Sequence, residues 1–151
     1  MRRLLGVDLG DRRIGLAVAD SEASIARPLT TIRRGGSVRD DAAAIRRHVE
    51  EQQAVEIVVG LPLDASGAEG PMAVGARTWA AELAPLLGLP VTLRDERLSS
   101  FVAEGRLGRP ARGRSGGPPT RMQREARRAR IDREAAAVIL QDELDARAAA
   151  R

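Results

Sequence analysis

Carboxylates are the groups through which this chain can do chemistry. Its 151 residues contain no cysteine and a single histidine, His48. Neither a thiolate centre nor a histidine-rich zinc site can be built from these, and any metal must be held by oxygen. Asp8 stands inside the apolar run Leu4-Leu5-Gly6-Val7-Asp8-Leu9, where an ionised carboxylate costs several kcal/mol unless a cation or hydrogen bonds compensate it. Glu96 follows the strand-like Val91-Thr92-Leu93-Arg94-Asp95, and Asp132 opens the alanine-rich stretch near the end of the chain. Two of the three have a purely structural reading when taken singly: Asp8 as an acceptor for turn amides, Asp132 as a favourable charge early in a helix. Taken together, three carboxylates without histidine suit magnesium or manganese, hard cations that take oxygen ligands and retain waters and phosphate oxygens. The reaction that fits is hydrolysis of a phosphodiester.

Convergence of the three acids depends on strand direction and helix phase. Gly10-Asp11-Arg12-Arg13 is a tight turn and Ile14 to Ala19 a returning strand, so Leu4 to Val18 reads as a hairpin with Asp8 near its mouth. A short strand over Leu29 to Ile32 completes an antiparallel meander. Ser37 caps a helix from about Val38 to Gln53 with Ala42, Ala43, Ile45 and Val49 inward. Glu56 to Gly60 is a continuous run suited to a parallel strand buried on both faces. A second helix, Met72 to Leu87, packs through Val74, Trp79, Leu83 and Leu86 and stops at Gly88-Leu89-Pro90. After Val91 to Asp95, the last strand, comes a Gly-, Pro- and Arg-rich loop, Gly105 to Thr120, and a final helix from about Gln123 to Arg147.

Helix crossovers make the fourth and fifth strands parallel to their neighbours, and sites in open α/β sheets form beyond the carboxyl ends of such strands. Asp8, Gly60-Leu61-Pro62 and Glu96 then meet at one edge. At about 100° per residue, Asp132 shares a helix face with Ala135, Ala136 and Ile139 and points at the sheet, whereas Arg133, Ala137 and Gln141 point away. The expected architecture is one α/β domain over residues 1–151, a mixed five-stranded sheet of three antiparallel and then two parallel strands, flanked by helices.

All 25 basic residues are arginine, a composition bias, but their distribution carries information. Between Gly105 and Arg133 ten arginines face only Glu125 and Asp132, a local charge of +8; the remaining residues carry 15 arginines and 19 acids, −4, within a total of +4. Such a concentration is the footprint expected for a polyanion or, more plainly, a solvated loop. No apolar run approaches the roughly 20 residues of a membrane span, so a soluble, cytoplasmic protein is expected. His48 reads as a boundary residue and Trp79 as core.

Four segments, GVDLGDRRIGLAVAD (Gly6 to Asp20), EIVVGLPLDASGAEGPMA (Glu56 to Ala73), DERLSS (Asp95 to Ser100) and RIDREAAAVIL (Arg130 to Leu140), together resemble the YqgF (RuvX) family. Its members are described as Holliday junction resolvases or pre-16S rRNA nucleases with an RNase H-like fold. The resemblance implies Asp8, Glu96 and Asp132 as catalytic, metal-binding acids for magnesium or manganese, with Gly60-Leu61-Pro62 shaping the cleft. It implies a nucleic-acid partner, precursor rRNA before branched DNA, and a monomer or weak homodimer.

Arg12, Arg97, Ser99, Arg112, Arg114 and Arg121 are the expected substrate contacts, although Asp11, Arg12 and Arg13 can equally serve only to close the hairpin. The flexible loop, at about residues 105–122, orders on nucleic acid. Related resolvases carry a further Asp one turn on, where this chain has Ala135; Glu134, Asp95 or Asp11 supplies the fourth acid, or three suffice. The rival readings are a junction resolvase, a non-catalytic nucleic-acid-binding protein acting in transcription or ribosome assembly, and, because of the Asp-x-Gly hairpin, an ATPase of the sugar-kinase and actin type. The last needs a second lobe that this length does not allow.

Overall fold

The computed structural model describes residues 2–96, 99–113 and 115–151. Its elements in chain order are β1 (Arg3–Leu9), β2 (Arg13–Asp20), β3 (Ala26–Arg33), α1 (Val38–Gln52), β4 (Ala54–Pro62), α2 (Pro71–Leu87), β5 (Val91–Glu96), α3 (Ser99–Leu107) and α4 (Arg121–Ala149). The sheet order is β3-β2-β1-β4-β5, antiparallel across the first three strands and parallel from β1 through β4 to β5. This is the mixed sheet expected from the sequence.

Strand alternation divides the core in two. Val7, Ile14, Leu16, Ile57 and Val59 face α1 and α2, where Ile45, Trp79 and Leu83 complete one cluster. Leu4, Ala17, Ala19 and Val58 face the other way, onto Ala136, Ile139 and Leu140 of α4. Asp8 lies on the α4 side because it is in step with Leu4 and Gly6. Three glycines on that face let the helix rest on the strand backbones: an added Cβ would stand 2.7 Å from the Ala136 carbonyl at Gly6, 1.9 Å from the Asp132 carbonyl at Gly15, and 2.4 Å from Ile139 Cδ1 at Gly60.

Several expectations are corrected. β3 is longer than Leu29 to Ile32, and α4 begins at Arg121 because Thr120 and Gln123 form a reciprocal capping box. α3 was not anticipated: of its described side chains only Ala103 is fully buried, so it has no apolar stripe to read. It shortens the loop to residues 108–120. Ala43 is exposed and Val74 is 56% exposed, since α1 and α2 each bury a narrower face than assumed. Ala137 is fully buried, not turned away. α4 packs against β2, β3 and α3 as well as β1, and Gln141 reaches β3, accepting from the Ala26 amide at 2.9 Å.

Two polar devices hold these layers in place. Asp41, 1% exposed, accepts from the Gly35 amide (2.7 Å), Trp79 Nε1 (3.0 Å) and Arg34 Nε (3.4 Å), tying the β3–α1 turn to α2. Glu56 of β4 accepts from Thr92 Oγ1 (3.1 Å) and from Arg147 near the end of α4, which holds its carboxyl below the usual range. Among the described residues no helix is long and apolar enough to cross a membrane.

Candidate functional site

Asp8 ends up beside Asp132 for a backbone reason. Asp8 pairs with Gly15 across the β1–β2 ladder, and the absence of a side chain at Gly15 lets the Asp132 carbonyl sit on that strand. Glu96 arrives through the parallel ladder: β4 and β5 run in register to Pro62↔Glu96, and the Leu63 amide donates to the Glu96 carbonyl at 2.9 Å. The three acids thus open into one cavity of about 270 Å³. Gly60, Pro62 and Ile139 are among its walls, with Ser99 of α3 on its lining and Met72 and Phe101 exposed at its rim.

The electrostatics are those of crowded carboxylates. Burial, and secondarily the charge of Asp132, push Asp8 up to about 7. Glu96 is pushed up to about 7 by burial and by the neighbouring carboxyl group of Asp142 on α4; Arg94 works against the shift. Asp132 is instead neutralised by Arg13, whose Nε lies 2.6 Å from its Oδ2. Among the described residues no three such groups stand close enough together to hold one ion as they are placed. The donor set nevertheless suits a hard cation: burial and crowding disfavour negative charge on Asp8 and Glu96, and a divalent ion supplies the charge that compensates them.

Asp8, Glu96, Asp132 and Ser99 are therefore brought together. Arg12 and Arg121 lie instead on a second, larger cavity lined by six arginines. Arg112 stands apart in the loop, donating to the Gly116 carbonyl at 3.2 Å. Arg97 and Arg114 lie outside the described residues. Of the suggested fourth acids, Glu134 pairs with Arg106 at 3.5 Å, and Asp11 and Asp95 are exposed. The acid standing next to Glu96 is Asp142, three residues beyond Ile139 and so on the helix face that meets β4, a phase the sequence carries. His48 is half-buried on α1 with Nδ1 3.7 Å from Glu51, away from the cavity.

Known proteins are similar to this chain in sequence and in fold. Residues 2–146 match the family model described as "RuvX: Holliday junction resolvase". A protein of Anaeromyxobacter dehalogenans named "Putative pre-16S rRNA nuclease" is 51% identical over 146 residues, 97% of this chain and 98% of that one. A protein of the same name from Chloroflexus aggregans is 43% identical over 144 residues, covering 95% and 94%. Among solved structures, T. thermophilus RuvC in complex with Holliday junction substrate superposes with a TM-score of 0.54 at 16% identity, covering 98% of this chain and 96% of that one. That likeness establishes the RNase H-like fold. With the full-length family match and relatives at half identity, the chain belongs to the RuvX family.

Proposed function

We propose that this protein is a metal-dependent nuclease that hydrolyses phosphodiester bonds in processing the 16S rRNA precursor. The observation that carries the reading is the convergence of Asp8, Glu96 and Asp132, from β1, β5 and α4, on one cavity beside arginine side chains. The names of the relatives support the RNA substrate. Asp8, Glu96 and Asp132 would hold magnesium or manganese, which when bound activates water and offsets charge on the scissile phosphate. The chain's own residues do the rest. Asp8 and Glu96 give up their protons to become ligands, Arg13 balances the charge of Asp132, and Phe101, 75% exposed at the rim, offers a face on which a base can stack. The protein would act in the cytoplasm as a monomer or weak homodimer.

A second reading, resolution of four-way DNA junctions, is favoured by the description of the family model; paired cuts would then require two sites related by a twofold axis. Incubating the wild type and Asp8→Asn with 16S precursor and with a synthetic junction, with and without manganese, separates the two. RNA cleavage by the wild type alone is expected. Junction-only cleavage overturns the substrate, and equal cleavage by Asp8→Asn overturns the site.

A further inference from the structure

The larger cavity, about 700 Å³, lies between the β3 edge of the sheet and the N-terminal third of α4. Arg12 and Arg13 from the β1–β2 turn, Arg33 and Arg34 from the end of β3, and Arg121 and Arg128 from α4 line it. Asp11 and Glu125 are the acids on its lining; Arg121 engages Glu125 at 3.2 Å, and outside the lining Arg13 is paired with Asp132 at 2.6 Å and Arg34 with Asp41 at 3.4 Å. Arg12, Arg33 and Arg128 have no ion-pair partner among the described residues.

The groove is a fixed structure. Thr31 Oγ1 donates to the Ala129 carbonyl, joining strand to helix, and the Arg34 amide donates to the Arg12 carbonyl at 2.9 Å while its Nη1 reaches the Gly10 carbonyl at 3.3 Å. Like charges held together in this way repel one another unless a polyanion meets them, and guanidinium forks match phosphate oxygens. No aromatic side chain lines the groove, and its guanidinium groups match the charge and geometry of phosphate oxygens.

Its position completes the argument. A third cavity of about 340 Å³ shares Arg12, Arg13 and Arg128 with the groove, and Gly10 and Asp132 with the acid cleft. The three cavities thus lie side by side, from the arginines to the carboxylates. We propose that the groove is a second, non-catalytic site that holds the sugar-phosphate backbone of the strand being cut, at nucleotides away from the scissile bond. The connection to cleavage rests on the nuclease reading; the binding of nucleic acid by the groove does not.

The test is binding without cleavage, in EDTA, of a fluorescent 16S precursor fragment over a series of potassium chloride concentrations. Arg33→Ala combined with Arg128→Ala is compared with Arg47→Ala, an exposed arginine on α1, and circular dichroism checks the fold. The double variant is expected to weaken binding by about tenfold and to reduce the log–log salt slope by about 1.4, the share of two phosphate contacts on a single strand. The Arg47 variant should match the wild type. Unchanged affinity and slope in a folded double variant overturn the proposal, as does displacement of RNA by polyglutamate of equal charge. Groove-dependent binding by a wild type that cuts nothing with manganese supports the groove and refutes the nuclease reading. Cleavage with groove-independent binding does the reverse.

Discussion

Arg13 Nε lies 2.6 Å from Asp132 Oδ2, with 29% and 19% of the two side chains exposed. The first residue of β2 is thus bound to a carboxylate of α4, and that carboxylate faces Asp8 across Gly15. A metal ion in the cleft competes with this guanidinium for Asp132. Partly exposed pairs of this kind are worth about 1 kcal/mol, so Arg13→Ala should tighten manganese binding about fivefold in the absence of nucleic acid. Titration of free manganese by electron paramagnetic resonance measures it; an unchanged or weakened affinity would contradict the competition.

The acid pair gives the protein an unusual pH dependence. Burial and the neighbouring carboxylates push Asp8 and Glu96 up to about 7 in the metal-free fold, from ordinary values of 3.8 and 4.5. A group raised on folding contributes stability that is present in full below its unfolded pKa and lost as pH rises through its folded one. The metal-free protein should therefore lose stability between about pH 4 and pH 7, by a few kcal/mol for Asp8. Melting temperature in EDTA should fall from pH 5 to pH 8, and less steeply in Asp8→Asn. Manganese at pH 8 should restore it in the wild type only. Parallel pH profiles for the two proteins would show that Asp8 is not the group responsible.

Gly15 has no room for a side chain. In Gly15→Ala the new Cβ would meet the Asp132 carbonyl at 1.9 Å, which forces α4 off the sheet where it carries the site. A loss of about 1–3 kcal/mol is expected, together with a fall in activity larger than the stability loss explains. Gly75→Ala in α2, with nothing within 4 Å of the added carbon, should instead stabilise by about 0.5–1 kcal/mol. Urea midpoints for the two variants moving the same way would refute this.

Asp41 lies remote from the acid cleft yet, among the described residues, is the one acid buried completely. Asp41→Ala leaves the Trp79 indole N–H and the Gly35 amide without their acceptor and Arg34 without its carboxylate. The cost should be about 3–5 kcal/mol, with a shift in Trp79 emission, since Trp79 is the only tryptophan. Cleavage per folded molecule should persist, which separates this acid from Asp8.

Much of this was legible in particular residues. Asp8 in an apolar run, the glycine-containing turn after it, and the β-branched run Ile57-Val58-Val59 carried strand type and direction, because a period of two and a crossover length leave few alternatives. Asp132 was readable from helix phase. Asp41 was not, since an acid in the first turn of a helix is usually a solvated charge, and only the approach of Trp79 from α2 makes it a buried acceptor. Arg128 belonged to the basic stretch read as a polyanion footprint, but its meeting with Arg33 and Arg34 was equally silent. They lie far apart along the chain, on β3 and α4, and meet only because Thr31 and Ala129 join those two elements.

The chain by itself determined the strand directions of the mixed sheet and part of each helix face, since these follow from local periodicity acting through fixed backbone geometry. Tertiary packing alone decided that Arg13 pairs with Asp132 and that six arginines line one groove beside the acid cleft. Those relationships depend on where α4 settles across the sheet. That is set by side-chain volumes at Gly6, Gly15 and Gly60 against Ala136, Asp132 and Ile139, a matter of fit between distant surfaces that no local pattern records.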